Sequence, residues 1–521
     1  MTNVKRRVGI FLVWTVFVGI AAIAFRYWYV PKAEEKKHEV QTQAAKDLVN
    51  ATSSSQRFDK YVDVYADGFA GYGIIRSAEF RNRLASFGVG LNIKDDGADY
   101  ETRIKALESG DADIAAFPID SFFSNCKKLD PNRLIKTPAT FISLIDETVG
   151  GDAAVGYGKK YPNGIDSLNN PNTKFVCVRN SPSEFIVRVM RANFDLTQVP
   201  EDAFIDCKSA EEVFEHWRAS KPDDNKVYIT WEPYITKMLE NPNMTKFVDT
   251  SRFRGYVADA FCSNRDFLVK NPETVRIFLE CYFGALHENH DKIMELVKKD
   301  AVAAGLPISD KQAGKIVEGI WWKNVQENYA HMGLVKGHSM MHIEDIIHQI
   351  TLVLKKTDPS YVDPTDGVYR NVYSQEPLME LRNRNFHPGQ TIGSDGELRQ
   401  EIKLKELSEP EWQKLQPVGT LQVPAIDFAR GTSNLTSGSE DVLNELIKNL
   451  QTWRSYYLLV EGSASTLGNN LEANKGKARE RTKVVVDYLV RNGIDPVRIR
   501  AAQEVKLNGT SVSFKLGQLP Y

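Results

Sequence analysis

Three stretches of this 521-residue chain hold residue types that could do chemistry, and each follows a short β-rich run. Behind the run 62–65 stands Asp67-Gly68-Phe69-Ala70-Gly71-Tyr72-Gly73. Its three glycines let the backbone approach a ligand or take positive φ, and Phe69 and Tyr72 can wall an apolar pocket. Behind 174–178 comes Arg179-Asn180-Ser181-Pro182-Ser183-Glu184, whose hydroxyls suit a helix start over 185–193. Free N–H groups there would attract an anion; the alternative is that Ser183 caps its helix and does nothing more. Behind 226–230 comes Thr230-Trp231-Glu232-Pro233-Tyr234. Pro233 holds Glu232 extended and suits a first helical position, so Trp231 and Glu232 would stand at a strand end. The alternative makes Trp231 a core aromatic and Glu232 a solvated cap.

Other chemistries find little support. No nucleophile elbow, phosphate-binding loop or catalytic triad pattern is present, so the chain reads as a non-enzyme. His338-Ser339-Met340-Met341-His342, followed by Glu344 and His348, would align histidines on one helix face but lacks the glutamate of a zinc-protease helix. Cys126, Cys177, Cys207, Cys262 and Cys281 include no CxxC pair, which excludes a dense disulfide scaffold. A net charge of −2, from 66 Lys+Arg against 68 Asp+Glu, argues against a general nucleic-acid binder. No metal or cofactor is expected.

These stretches need elements to position them. From residue 61 to about 354, β-rich runs at 62–65, 113–117, 174–178 and 226–230 alternate with amphipathic stretches, which predicts βαβ units around largely parallel, doubly wound sheets. Ligands gather at the carboxyl ends of such strands. The run from Tyr100 to Ala115, with Ala106-Leu107-Glu108-Ser109-Gly110-Asp111-Ala112-Asp113-Ile114-Ala115 at its end, resembles a segment of periplasmic substrate-binding proteins for nitrate, sulfonates and taurine. Asp146-Glu147-Thr148-Val149-Gly150-Gly151-Asp152, Trp231-Glu232-Pro233 and Asn271-Pro272-Glu273-Thr274-Val275 resemble further segments of that family, in the same order. The resemblance implies a two-lobed periplasmic-binding-protein fold closing on a small anionic or zwitterionic solute, with an ABC permease as partner. Carried over by position, the ligand-binding residues would be Phe69, Tyr72, Pro118, Asp120, Ser181, Ser183, Trp231, Glu232 and Asp259. Gly68-Phe69 stands where the family commonly has a tryptophan, and Asp120 and Glu232 would oppose a bare anion.

The ends of the chain read differently. Residues 8–25 are uncharged and mostly apolar, enough for about 27 Å of helix, with Lys5, Arg6 and Arg7 before them and Tyr27, Trp28 and Tyr29 after. They predict a single-pass anchor in a bacterial inner membrane over 1–30, in contact with the lipid bilayer, and a tether over 31–57. Ala22-Ile23-Ala24 also fits a cleaved signal peptide, and either reading sends the bulk of the chain to the periplasm. The binding domain is expected over 58–355. Residues 356–418 read as a polar connector that, if flexible, would reach about 40–45 Å, with apolar clusters such as 377–381 able to dock. Over 419–521, a strand at 421–428, a helix capped by Ser439, a strand at 456–460, a helix ending at Asn492-Gly493 and a strand at 511–516 are expected. Ile426-Asp427-Phe428, Glu461-Gly462, Asn474, Arg479-Glu480-Arg481 and Asn492-Gly493-Ile494-Asp495 make this a small α+β unit that resembles the OmpA-like peptidoglycan-binding family. The resemblance assigns Ser465, Asn474 and Arg481 to peptidoglycan binding. Ser465 stands where the family has an aspartate, so an ionic contact to the ammonium of the wall peptide is missing.

Overall fold

The computed structural model describes residues 58, 60–126, 137–252, 255–303, 307–335, 340–388, 404–452, 456–466, 470–507 and 509–519. The expected membrane segment, the tether and His338 lie outside them. Among the described residues no helix is long and apolar enough to cross a membrane.

The first lobe is a six-stranded sheet in the order β11-β4-β10-β3-β1-β2. Its strands are β1 (Lys60–Ala66), β2 (Val89–Asp95), β3 (Ile114–Pro118), β4 (Ala139–Thr148), β10 (Ala258–Asn264) and β11 (Ile320–Trp322). Strands β3, β4 and β10 are buried along their whole length, as expected of strands covered on both faces. The second lobe is a five-stranded sheet in the order β7-β6-β8-β5-β9, built from β5 (Asp152–Tyr157), β6 (Lys174–Val178), β7 (Phe204–Cys207), β8 (Lys226–Trp231) and β9 (Met244–Asp249). Both sheets are mixed rather than largely parallel. Strand β10 runs antiparallel between β3 and β4, and β5 antiparallel between β8 and β9, because these strands carry the chain from one lobe to the other.

The crossings lie side by side. The first is Val149-Gly150-Gly151 between β4 and β5; the second follows β9 through Thr250 to β10. Gly150 has φ 125°, open to glycine at little cost, and its N–H donates to the Thr250 hydroxyl at 2.9 Å. Gly151 packs backbone to backbone against Gly319, where a side chain on either would collide.

Six helices are needed to follow the site and the C-terminal half: α1 (Tyr100–Ser109), α2 (Ile119–Cys126), α3 (Pro182–Asn193), α4 (Tyr234–Leu239), α5 (Pro272–Glu288) and α6 (Ile343–Thr357). Helix α6 packs on α3 of the other lobe, and Arg188 donates to the Thr357 carbonyl at 3.1 Å. His342 caps α6, its ring nitrogen accepting from Glu344 N–H at 3.2 Å, and His348 meets the Tyr369 hydroxyl at 3.1 Å.

The connector docks over its first half. Helix α7 (Glu376–Asn383) buries Leu378 and Leu381 against α5, and Tyr329 donates to the Phe386 carbonyl at 3.0 Å. Val372, Tyr373, Leu378 and Leu381 are buried, while Val362, Val368 and Met379 stay exposed. The C-terminal unit is a four-stranded sheet in the order β12-β15-β13-β14, with β12 (Gln416–Thr420), β13 (Tyr457–Gly462), β14 (Ile499–Ala501) and β15 (Val512–Gln518), plus α8 (Ser437–Thr452) and α9 (Leu471–Arg491). Its first strand lies at 416–420 instead of 421–428. Pro424 has no N–H for the ladder, so pairing cannot run on. Strand β12 is also held by the second lobe: Thr420 donates through its N–H and hydroxyl to the two Asp166 oxygens at 2.7 and 3.0 Å, and Gln422 N–H donates to the Asn193 carbonyl at 2.7 Å. The unit is thus seated on the second lobe, not swinging from it.

Candidate functional site

Between the lobes lies a cleft of about 380 Å³, including its open mouth. The first lobe supplies Asp67, Phe69 and Tyr72 from the loop after β1, Pro118 from the end of β3, and Asp259 from the start of β10. Asp152 and Trp231, at adjoining ends of β5 and β8, supply the far wall with Pro182. Tyr100 closes one side.

The aromatic wall follows from the glycine loop. Phe69 and Tyr72 meet edge to face, with centroids 5.3 Å apart at 86°. Gly71 between them donates no side chain, and its carbonyl accepts from Trp322 Nε1 at 2.9 Å. A β-carbon at Gly71 would overlap both the Asp146 carboxylate and the Phe69 ring. Gly71→Ala is therefore expected to push Phe69 out of the cleft and to cost about 1–3 kcal/mol, checked by urea unfolding.

The charge of the site is strongly one-sided. Asp67 accepts from Phe69 N–H at 2.8 Å and from Arg103 at 2.8 Å. Arg103 also holds Asp96 through two contacts, so its guanidinium is fully engaged within the first lobe. Lys323, the other buried cation nearby, is paired with Glu147 at 2.7 Å. Asp146 and Asp259 sit directly opposite each other on β4 and β10. Neither Asp146 oxygen, nor Oδ1 of Asp259 or Asp120, has a protein partner. Burial drives the Asp146 and Asp259 carboxyls far above the usual carboxylate range. The neighbouring Asp152 raises Asp146 further, as Asp146 raises Asp259, while Lys323 beside Asp146 and the Tyr72 hydroxyl beside Asp259 pull the other way. Burial pushes Asp120 up to about 8, with Ser121 pulling back, and Asp152 up to about 7.

Of the residues expected from the sequence, Phe69, Tyr72, Pro118, Trp231 and Asp259 line the cleft. Asp120 is buried behind Pro118 and does not. Glu232 turns away: its carboxylate accepts from the Thr236 N–H at 3.0 Å and the Thr236 hydroxyl at 2.8 Å, which ties it to the first turn of α4. Ser181, not Ser183, caps α3, accepting from Ser183 N–H at 3.2 Å while donating to the Val178 carbonyl at 2.8 Å. Ser183 lies inside the helix with its hydroxyl unpartnered. The sequence reading passed over Asp67, Tyr100, Thr148 and Asp152 as site residues, although each falls in a stretch already quoted for its pattern.

In the C-terminal unit Asn474 donates to the Ser465 carbonyl at 2.9 Å, so these two come together. Arg481 stacks on Phe428 at 4.8 Å and donates through two N–H groups to the Thr432 carbonyl at 3.2 Å.

Two mixed α/β lobes joined by paired crossings, with a cleft at their strand ends, make a periplasmic-binding-protein-like fold, here followed by an OmpA domain. Residues 427–511 match the OmpA family. Among solved structures, the chain resembles the Candida albicans CA3427 gene product, whose structure defines a family with the generic periplasmic binding protein fold (12% identity, TM-score 0.43, covering 63% of this chain and 96% of that one). It also resembles the periplasmic aliphatic sulphonate binding protein SsuA from Escherichia coli (12%, 0.43, 60% and 99%) and the desulfurization enzyme DSZB (10%, 0.40, 63% and 99%). At such identities the likeness carries no information about a ligand. No curated protein matches the sequence.

Proposed function

We propose that this protein is an envelope receptor that captures a small solute between its two lobes and contacts the cell wall through its C-terminal unit, with residues 8–25 anchoring it in the inner membrane. The carrying observation is the cleft itself, whose walls come from both lobes, with two crossings of the chain between the lobes beside it. Closure around a solute would bring Trp231 and Asp152 toward Phe69 and Asp259. A permease that accepts the solute is the natural partner of this reading.

Two measurements test it. A solute at about 100 times its dissociation constant adds roughly 2.7 kcal/mol of apparent stability, and Trp231→Ala should remove that gain while leaving the unliganded protein folded. For the wall contact, binding to purified sacculi should fall for Arg481→Ala; unchanged retention of a folded variant would remove Arg481 from the wall site.

A further inference from the structure

We propose that the cleft takes a small organic cation, an ammonium or amidinium group carried on an apolar body. This rests on reading the cleft as the solute site. Asp67, Asp152 and Asp259 line it, and Asp146 stands directly across the sheet from Asp259. The buried cations nearby are already held, Arg103 by Asp67 and Asp96 and Lys323 by Glu147. Asp259 is 3% exposed, and its Oδ1 has no protein partner. The Tyr72 hydroxyl serves Asp259 but leaves that oxygen open; a buried carboxylate oxygen without a donor is costly, and like charges opposite one another across strands add to the cost. The missing donor is what an N–H-bearing cation supplies.

The shape of the site separates an organic cation from a metal ion and from an anion. Among the described residues no three carboxylates, histidines or cysteines are arranged to hold a metal. The acidic groups are spread along the walls, which suits a charge carried on a body rather than a point ion. That body would meet Phe69, Tyr72, Tyr100 and Trp231, whose ring faces attract organic cations. A bare nitrate or sulfonate would meet carboxylates instead.

Proton linkage gives the inference a sign. Asp259 faces Asp146 from β4, Asp67 and Tyr72 from the loop after β1, and Asp120 from α2; Asp152 faces Glu232 and Asp120. Burial favours the protonated form of Asp146, Asp259, Asp120 and Asp152, so a cation binds by displacing protons and its affinity rises with pH. An anion would do the reverse.

The test is titration calorimetry on the full chain in detergent, with benzylammonium and benzamidinium against nitrate and methanesulfonate, in buffers of different ionisation heat. The expected result is binding of the organic cations with proton release, reduced about 10- to 100-fold by Asp259→Asn. Asp152→Asn provides a second carboxylate variant should the first fail to fold. Binding of the anions alone, or proton uptake on binding, overturns the cationic inference and leaves the receptor reading standing. Binding of neither class, with no lobe closure by small-angle scattering, overturns both.

Discussion

Arg103→Met is expected to cost about 3–5 kcal/mol of stability, close to half of what a domain commonly has. Arg103 is fully buried, and its guanidinium reaches three strand ends at once. Nε donates to Asp96 after β2 at 2.6 Å, Nη1 to the Ala116 carbonyl of β3 at 2.6 Å, and Nη2 to Asp67 after β1 at 2.8 Å. Its plane lies over the Tyr100 and Phe117 rings, at 4.9 and 5.5 Å. Methionine fills much of the space but strips two buried carboxylates of their charged partner, leaving each a single backbone N–H, and takes a donor from the Ala116 carbonyl. Arg103→Lys should recover only part of the loss, since one ammonium cannot span three acceptors in a fixed fork. Asp96→Asn placed on top of Arg103→Met should restore some stability by removing one orphaned charge. Urea unfolding of the single and double variants measures both effects. Losses below about 1 kcal/mol for Arg103→Met would show that the ion triad is solvated and does not hold the strand ends.

That triad also explains why the cleft could be found from sequence only in outline. Strand β6 falls where its β-branched and aromatic run ends, and β8 extends one residue past its predicted end to Trp231. The glycine loop was legible because only glycine tolerates the approach of Asp146 and Phe69 to residue 71. Local competition misled elsewhere. Pro182 moved the start of α3 forward and gave the cap to Ser181, and Thr236, one turn beyond Glu232, captured a carboxylate expected in the cleft. The acidic character of the site was legible only in part: Asp259 was among the expected residues and lines the cleft, while Asp67 and Asp152 were not expected there. Asp146 and Asp259 are remote in sequence and become neighbours only through the β4–β10 register, which no local pattern encodes. The docked half of the connector was legible as the apolar cluster 377–381, but not where it docks, because its partner helix lies a hundred residues earlier.

The unliganded protein is expected to lose stability as pH rises from about 4 to about 8, and Asp120→Asn with Asp152→Asn should abolish much of that loss. Burial raises Asp120 from 3.8 to about 8 and Asp152 from 3.8 to about 7. Below pH 3.8 these groups are protonated in both the folded and unfolded chain, so they contribute nothing. Above it the unfolded chain releases their protons while the folded chain keeps them, and stability falls until pH passes the folded values. At pH above 8 the loss is complete, on the order of several kcal/mol for the pair. Asparagine keeps the shape and carries no titrating proton, so the doubly substituted protein should unfold at a higher temperature than the parent at about pH 8 and at nearly the same temperature at about pH 4. Thermal unfolding followed by circular dichroism across that range decides it: parallel curves for the two proteins would mean that solvent reaches both carboxyls and that the cleft stores no electrostatic strain. If the curves diverge as expected, Asp152, the one of the two that lines the cleft, is a carboxyl that a cation there would neutralise. The parent's deficit at high pH should then shrink on adding benzylammonium, while the asparagine variant should gain little from it.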